Sequence, residues 1–168
     1  DLAVHSMKDV PAELPEALFL SAIPRRADYR DALVSRGGLP FDRLPTGAKV
    51  GTSSLRRQSQ LLYLRPDLNI VPLRGNIDTR LGKLKTEGLD AIVLAAAGLE
   101  RMNMIDRATQ VLAPDLMLPA IGQGALGIES RRDDAALNAI LAQLDHGPTA
   151  VAVTAERAYL AAMEGSCQ

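Results

Sequence analysis

The sequence has no tryptophan, one cysteine and two histidines, and only 3% of its 168 residues are aromatic. A lone thiol, Cys167, excludes an internal disulfide, and with His5 and His146 far apart no metal site is expected. The aromatics Phe19, Tyr29, Phe41, Tyr63 and Tyr159 are too scattered for a base-stacking platform. An excess of positive charge is missing too: nineteen basic against twenty acidic residues give a net charge of −1, unlike a dedicated nucleic-acid binder. The longest nearly unbroken apolar run, Ala91 to Leu99, is about half of the ~20 residues a membrane helix needs. No signal-like segment opens the sequence. The expectation is a cytoplasmic, soluble protein without nucleic-acid or membrane partners.

What is present is a globular balance, 47% hydrophobic and 23% charged, enough for a real core in one domain or two small ones. Fifteen of the nineteen basic residues are Arg and four are Lys. Guanidinium is the group suited to a two-pronged grip on carboxylate or phosphate, although a genome rich in Arg codons gives the same bias. The sequence starts at Asp1, within an apparent strand (Leu2 to Val4), and stops just after its only Cys. It reads as part of a longer protein.

Short apolar runs followed by helix-like stretches set the architecture. Lys49 to Gly51 leads into a helix over Leu55 to Leu64; Asn69 to Leu73, with Pro72 marking a strand end or an edge strand, leads into Ile77 to Thr86; Ala91 to Leu94 leads into Ala95 to Met102. This alternation predicts an α/β fold with a parallel sheet covered by helices, and a ligand site at the carboxyl ends of its strands. Helical patterns recur over Asp133 to Leu144 and Val151 to Met163, broken by His146-Gly147-Pro148. Two Pro-containing joints, Ile23 to Arg26 and Leu118 to Gly124, read as hinges around an inserted domain.

Thr52-Ser53-Ser54-Leu55-Arg56-Arg57 combines hydroxyls at a helix start with two Arg in the first turn. Ser or Thr there can be a plain N-cap, but paired cations beside the positive end of a helix dipole are unfavourable unless an anion offsets them. Arg74, Arg80 and Arg101 sit near equivalent strand ends; each alone reads as a solvated charge, but together they could converge on one cleft for a ligand with several carboxylates. There is no Walker-type phosphate loop. His5 to Pro11 is either a turn capped by Asp or the seat of an acidic group, Asp9, able to stabilise a developing cation or move a proton. Cys167, taken alone, reads as an inert small residue.

Five ordered segments, His5 to Pro11, Gly51 to Gln58, Leu73 to Leu81, Pro119 to Glu129 and Glu164 to Gln168, resemble the signature segments of the porphobilinogen deaminase (hydroxymethylbilane synthase) family. The resemblance implies lobes like those of periplasmic binding proteins, joined by hinges. Residues 1–24 and 125–144 would be part of domain 1, 28–118 domain 2, and 149–168 the start of an α+β domain 3. It implies a transferase of tetrapyrrole (heme) biosynthesis that joins four porphobilinogen units with release of ammonia, on a dipyrromethane cofactor held by a thioether to Cys167. By the same resemblance Asp9 would be catalytic; Ser6, Lys8, Thr52, Ser54, Arg56, Arg57 and Gln123 would bind the cofactor; and Arg74, Arg80 and Arg101 would bind substrate. The family has further segments before Asp1 and after Gln168, so these 168 residues alone are expected to be weakly active or inactive, and the full-length protein a monomer. Two other readings stay open: a non-enzymatic carboxylate receptor of the same fold, and a thiol hydrolase pairing Cys167 with His5.

Overall fold

The computed structural model describes residues 1–11 and 13–163. In chain order its strands and helices are β1 (Leu2–Ser6), β2 (Leu18–Ala22), β3 (Asp31–Ser35), β4 (Lys49–Gly51), α1 (Leu55–Leu64), β5 (Asn69–Val71), α2 (Ile77–Thr86), β6 (Ala91–Ala95), α3 (Ala96–Arg101), β7 (Gln110–Val111), β8 (Leu126–Arg131), α4 (Ala135–Leu141) and α5 (Gly147–Ala162). The chain divides into two compact units, one of Asp1–Tyr29 with the described part of Ala120–Gln168, the other of Arg30–Pro119.

The second unit is an α/β layer structure on a five-stranded sheet, in the order β5-β4-β6-β3-β7. Both faces of β6 are covered, which is why it reads as an unbroken apolar run. Ala91 and Val93 join Leu33, Val50, Leu61 and Met117 in one cluster, while Ile92 and Leu94 join Ala32, Val34, Leu84 and Leu99 in another. Helix α1 supplies Leu61 to the first layer; α2 and α3 supply Leu84 and Leu99 to the second. Strand β5 is an edge strand that ends just before Pro72.

The expectation of a parallel sheet needs correction. Only β5, β4 and β6 run parallel; β3 is antiparallel to both β6 and β7. Strands β3 and β4 are joined without an intervening α-helix, so the strand-helix alternation that signals a parallel crossover does not extend to β3. The reversal puts the first residue of β3, Asp31, opposite Ala95 at the carboxyl end of β6.

The first unit holds an antiparallel sheet in the order β1-β8-β2, with a register shift in β2 between Leu20 and Ala22. Met7, Val10, Ile23, Ala125 and Val153 form one of its cores, and α4 packs Leu141 against Ala22 and Ile128 in another. Among the described residues no helix is long and apolar enough to cross a membrane.

Candidate carboxylate-binding site

In the second unit the site elements follow the parallel strands. The Thr52 amide after β4 donates to Val71 O at 2.9 Å, and the Ser53 hydroxyl donates to Leu73 O at 3.0 Å while accepting from Leu73 N at 2.9 Å. These bonds tie the loop after β4 to the loop after β5. Thr52 is buried, and its Oγ1 accepts from Ser54 N at 3.2 Å. Ser54 is the N-cap of α1, accepting from Arg57 N at 3.4 Å. The capping reading of this serine therefore holds, and it leaves the first-turn arginines to be explained separately.

Their anion is internal. Asp31, fully buried, accepts from Arg56 Nη2 at 2.8 Å through Oδ2, and from Arg57 Nε at 3.1 Å and Nη2 at 2.7 Å through Oδ1. Arg57 is buried and also donates from Nη1 to Val93 O at 3.1 Å. Arg56 remains partly exposed and donates from Nη1 to Leu118 O. Burial pushes the Asp31 pKa upward, but the charge and hydrogen bonds of Arg57, then those of Arg56, hold it below the usual aspartate range. Burial lowers the pKa of Arg56; Asp31 opposes that shift and Arg57 adds to it.

Two cations thus share one carboxylate. The pKa of Arg80 is lowered by burial and by the charge of Arg57. Arg80 lies on α2, where Nε donates to Gly75 O at 2.7 Å; the helix is capped by Asn76, whose Oδ1 accepts from Thr79 N at 2.9 Å. Arg74 is exposed and lines a pocket of about 270 Å³ with Thr52, Ser53, Gln58, Ile70 and Pro72. Arg101 is exposed at the end of α3. Surplus guanidinium charge beside the N-terminus of α1 is suited to carboxylates.

In the first unit β1 runs into a tight turn, Met7–Asp9, which carries Lys8 half-buried and Asp9 exposed; Ser6 before it is half-buried. Met7 anchors this turn through its buried side chain and through its amide, which donates to Ala125 O at 3.0 Å. Gly122 packs against it with φ +68°, so close that an added Cβ would meet Met7 Cβ at 2.9 Å. Gln123 is buried, and its Nε2 donates to Tyr29 O at 2.8 Å. His5 Nε2 lies 2.6 Å from Glu129 Oε2. Cys167 lies outside the described residues.

Sequence reasoning missed Asp31, and it missed the pairing of Arg26 with Glu156, whose carboxylate also accepts from Gly122 N at 2.7 Å. The one local signal for Asp31 is a carboxylate opening an apolar run, Asp31-Ala32-Leu33-Val34.

A family model described as porphobilinogen deaminase, dipyromethane cofactor binding domain, matches residues 1–139. The chain is 61% identical over 168 residues to porphobilinogen deaminase of Nitratidesulfovibrio vulgaris, covering 100% of this chain and 53% of that one. It is 58% identical over 168 residues to the enzyme of the same name from Paenibacillus macerans, covering 100% of this chain and 52% of that one. The chain thus spans about half the length of these relatives. Among solved structures, a putative methionine-binding lipoprotein from Bacillus subtilis shares the fold, with a TM-score of 0.50 and 11% identity over 79% of this chain and 63% of that one. Matched along 139 of its residues by the family model and at about 60% identity throughout by named relatives, the chain belongs to the porphobilinogen deaminase family.

Proposed function

We propose that this chain carries the cofactor-binding part and the catalytic aspartate of a porphobilinogen deaminase, a transferase that joins four porphobilinogen units into hydroxymethylbilane and releases ammonia. The observation that carries the reading is the pair of guanidinium groups at the start of α1 in the second unit, where Arg56 and Arg57 share the buried carboxylate of Asp31. Pyrroles that bear carboxylate side chains need the positive charge this leaves in surplus, delivered by planar forks rather than by Lys. In domain terms, residues 1–24 and 125–144 form part of the first domain, 28–118 the second, and 149–168 open the third.

The donor set fits the dipyrromethane group for which the family model is named. Ser6, Lys8, Ser54 and Arg56 keep solvent exposure and are assigned to its carboxylates, while Thr52, Arg57 and Gln123, all buried, hold the loops that present them. Cys167 is assigned as the covalent anchor. When bound, the group supplies the pyrrole to which the first substrate is joined. The exposed Asp9 carboxylate accepts a hydrogen bond from a pyrrole N–H, stabilises positive charge as ammonia leaves, and assists proton transfer. Arg74, Arg80 and Arg101 are assigned to substrate carboxylates. The location is cytoplasmic, and the whole protein acts as a monomer.

Intact mass spectrometry of the full-length protein tests the reading. A mass increase matching dipyrromethane, lost in Cys167→Ser, is the expected result; an unmodified protein that binds carboxylates reversibly supports a receptor instead.

A further inference from the structure

Asp31 is a charged group without solvent exposure, at the start of a strand otherwise made of core residues. A buried ion pair of this kind is weak evidence for a purely stabilising role, because well-packed apolar side chains of similar volume often serve as well. Its contacts suggest a different use. Each oxygen meets a different arginine: Oδ1 accepts from two donors of Arg57, and Oδ2 accepts from Arg56 Nη2. Arg57 is committed to the interior through Val93 O as well. Arg56 differs, for its side chain keeps 24% exposure and is held on its other nitrogen by Leu118 O. Two anchors on one guanidinium fix its plane, and a fixed plane is what two-pronged recognition of a carboxylate requires.

We propose that Asp31 is a positioning residue of the carboxylate site: through Oδ2 it fixes the guanidinium plane of Arg56, and its single negative charge offsets that of Arg57, so the charge presented to ligand is that of Arg56. This rests on the reading of the site as one for pyrrole carboxylates. The assignment accounts for a buried carboxylate beside two arginines, where full neutralisation would leave nothing for a ligand and no carboxylate would leave two buried cations in mutual repulsion.

The test uses the full-length protein with three variants. Asp31→Asn removes the charge, Asp31→Glu keeps it on a longer arm that displaces Arg56, and Leu33→Ala opens a cavity two residues along the same strand as a control for loosening alone. Thermal midpoint, dipyrromethane occupancy by intact mass, and kcat and KM for porphobilinogen are read for each. Both Asp31 variants are expected to raise KM about tenfold or to lower occupancy, the loss of about one charge-assisted hydrogen bond, with a smaller change in kcat. Leu33→Ala is expected to lower the midpoint without moving KM or occupancy. The proposal is overturned if folded Asp31 variants keep wild-type KM and occupancy, if Leu33→Ala shifts them equally, or if neither Asp31 variant folds, which would make the residue a structural requirement only. If Asp31→Asn alone fails to fold, Asp31→Glu decides. A wild-type protein with neither the dipyrromethane mass nor turnover refutes the underlying reading, and the proposal with it.

Discussion

Arg26 and Glu156 form a two-pronged ion pair across 130 positions of sequence, Nη1 to Oε1 and Nη2 to Oε2, the latter at 3.0 Å. Glu156 Oε2 also accepts from Gly122 N at 2.7 Å, and Arg26 Nε donates to Gln123 O at 2.8 Å. One carboxylate on α5 therefore organises both the segment before β3 and the glycine loop before β8.

Because the pair is only partly exposed, its loss is expected to exceed that of a surface salt bridge. Glu156→Gln should lower unfolding stability by about 1–3 kcal/mol, since it leaves Arg26 short of an anion and weakens the acceptor of Gly122 N. Chemical denaturation measures this. A cycle with Arg26→Gln should show coupling of about 1 kcal/mol; additive effects would mean the pair is incidental.

Gly122 and Gly47 offer a comparison of strain with clash. Both have positive φ, +68° and +73°, but an added Cβ at Gly47 meets nothing within 4 Å, whereas at Gly122 it meets Met7 Cβ at 2.9 Å and Met7 backbone C at 3.0 Å. Gly47→Ala should cost about 1 kcal/mol and Gly122→Ala clearly more, about 2–4 kcal/mol, read from denaturation midpoints. Equal losses would show that the Met7 turn yields freely.

The depressed pKa of Asp31 gives a pH dependence of definite sign. A carboxylate whose folded pKa lies below its unfolded value, about 3.9, contributes stability that is complete above the unfolded pKa and is lost as pH falls through the folded one. Acid denaturation should therefore steepen below about pH 4, and Asp31→Asn should flatten that limb. An unchanged limb in the variant would remove Asp31 as its cause.

Asp9 is exposed on its turn, so Asp9→Ala should leave stability within about 0.5 kcal/mol of wild type. In the full-length protein the variant should retain the dipyrromethane mass yet lose turnover by about 10²–10⁴-fold, the range for a positioned acid or base. Normal turnover would end its assignment as catalytic.

Much of the second unit was legible in the sequence because its elements carry local signals. Leu55–Leu64 and Ile77–Thr86 emerge as helices with the bounds their periodicity predicts, and Pro72 stops β5 as expected. Strand β3 was not read, because no helix follows it and its direction depends on pairing with β6 and β7. The Arg56-Arg57 pair signalled a missing anion, but nothing near either arginine names Asp31, which lies 25 residues before Arg56 and is brought there only by the reversed strand.

The scarcity that marks this sequence, one Cys, two His, few aromatics and no charge excess, was enough by itself to point away from disulfide, metal and nucleic-acid chemistry, and the Arg bias to point toward carboxylates. Those are matters of composition and local spacing, which the chain carries wherever it folds. Only the tertiary structure decided which arginines are committed to the interior and which still face solvent. For Arg56 and Arg57 that division follows from one buried carboxylate at the head of an antiparallel strand, and burial is a property of packing between segments distant in sequence.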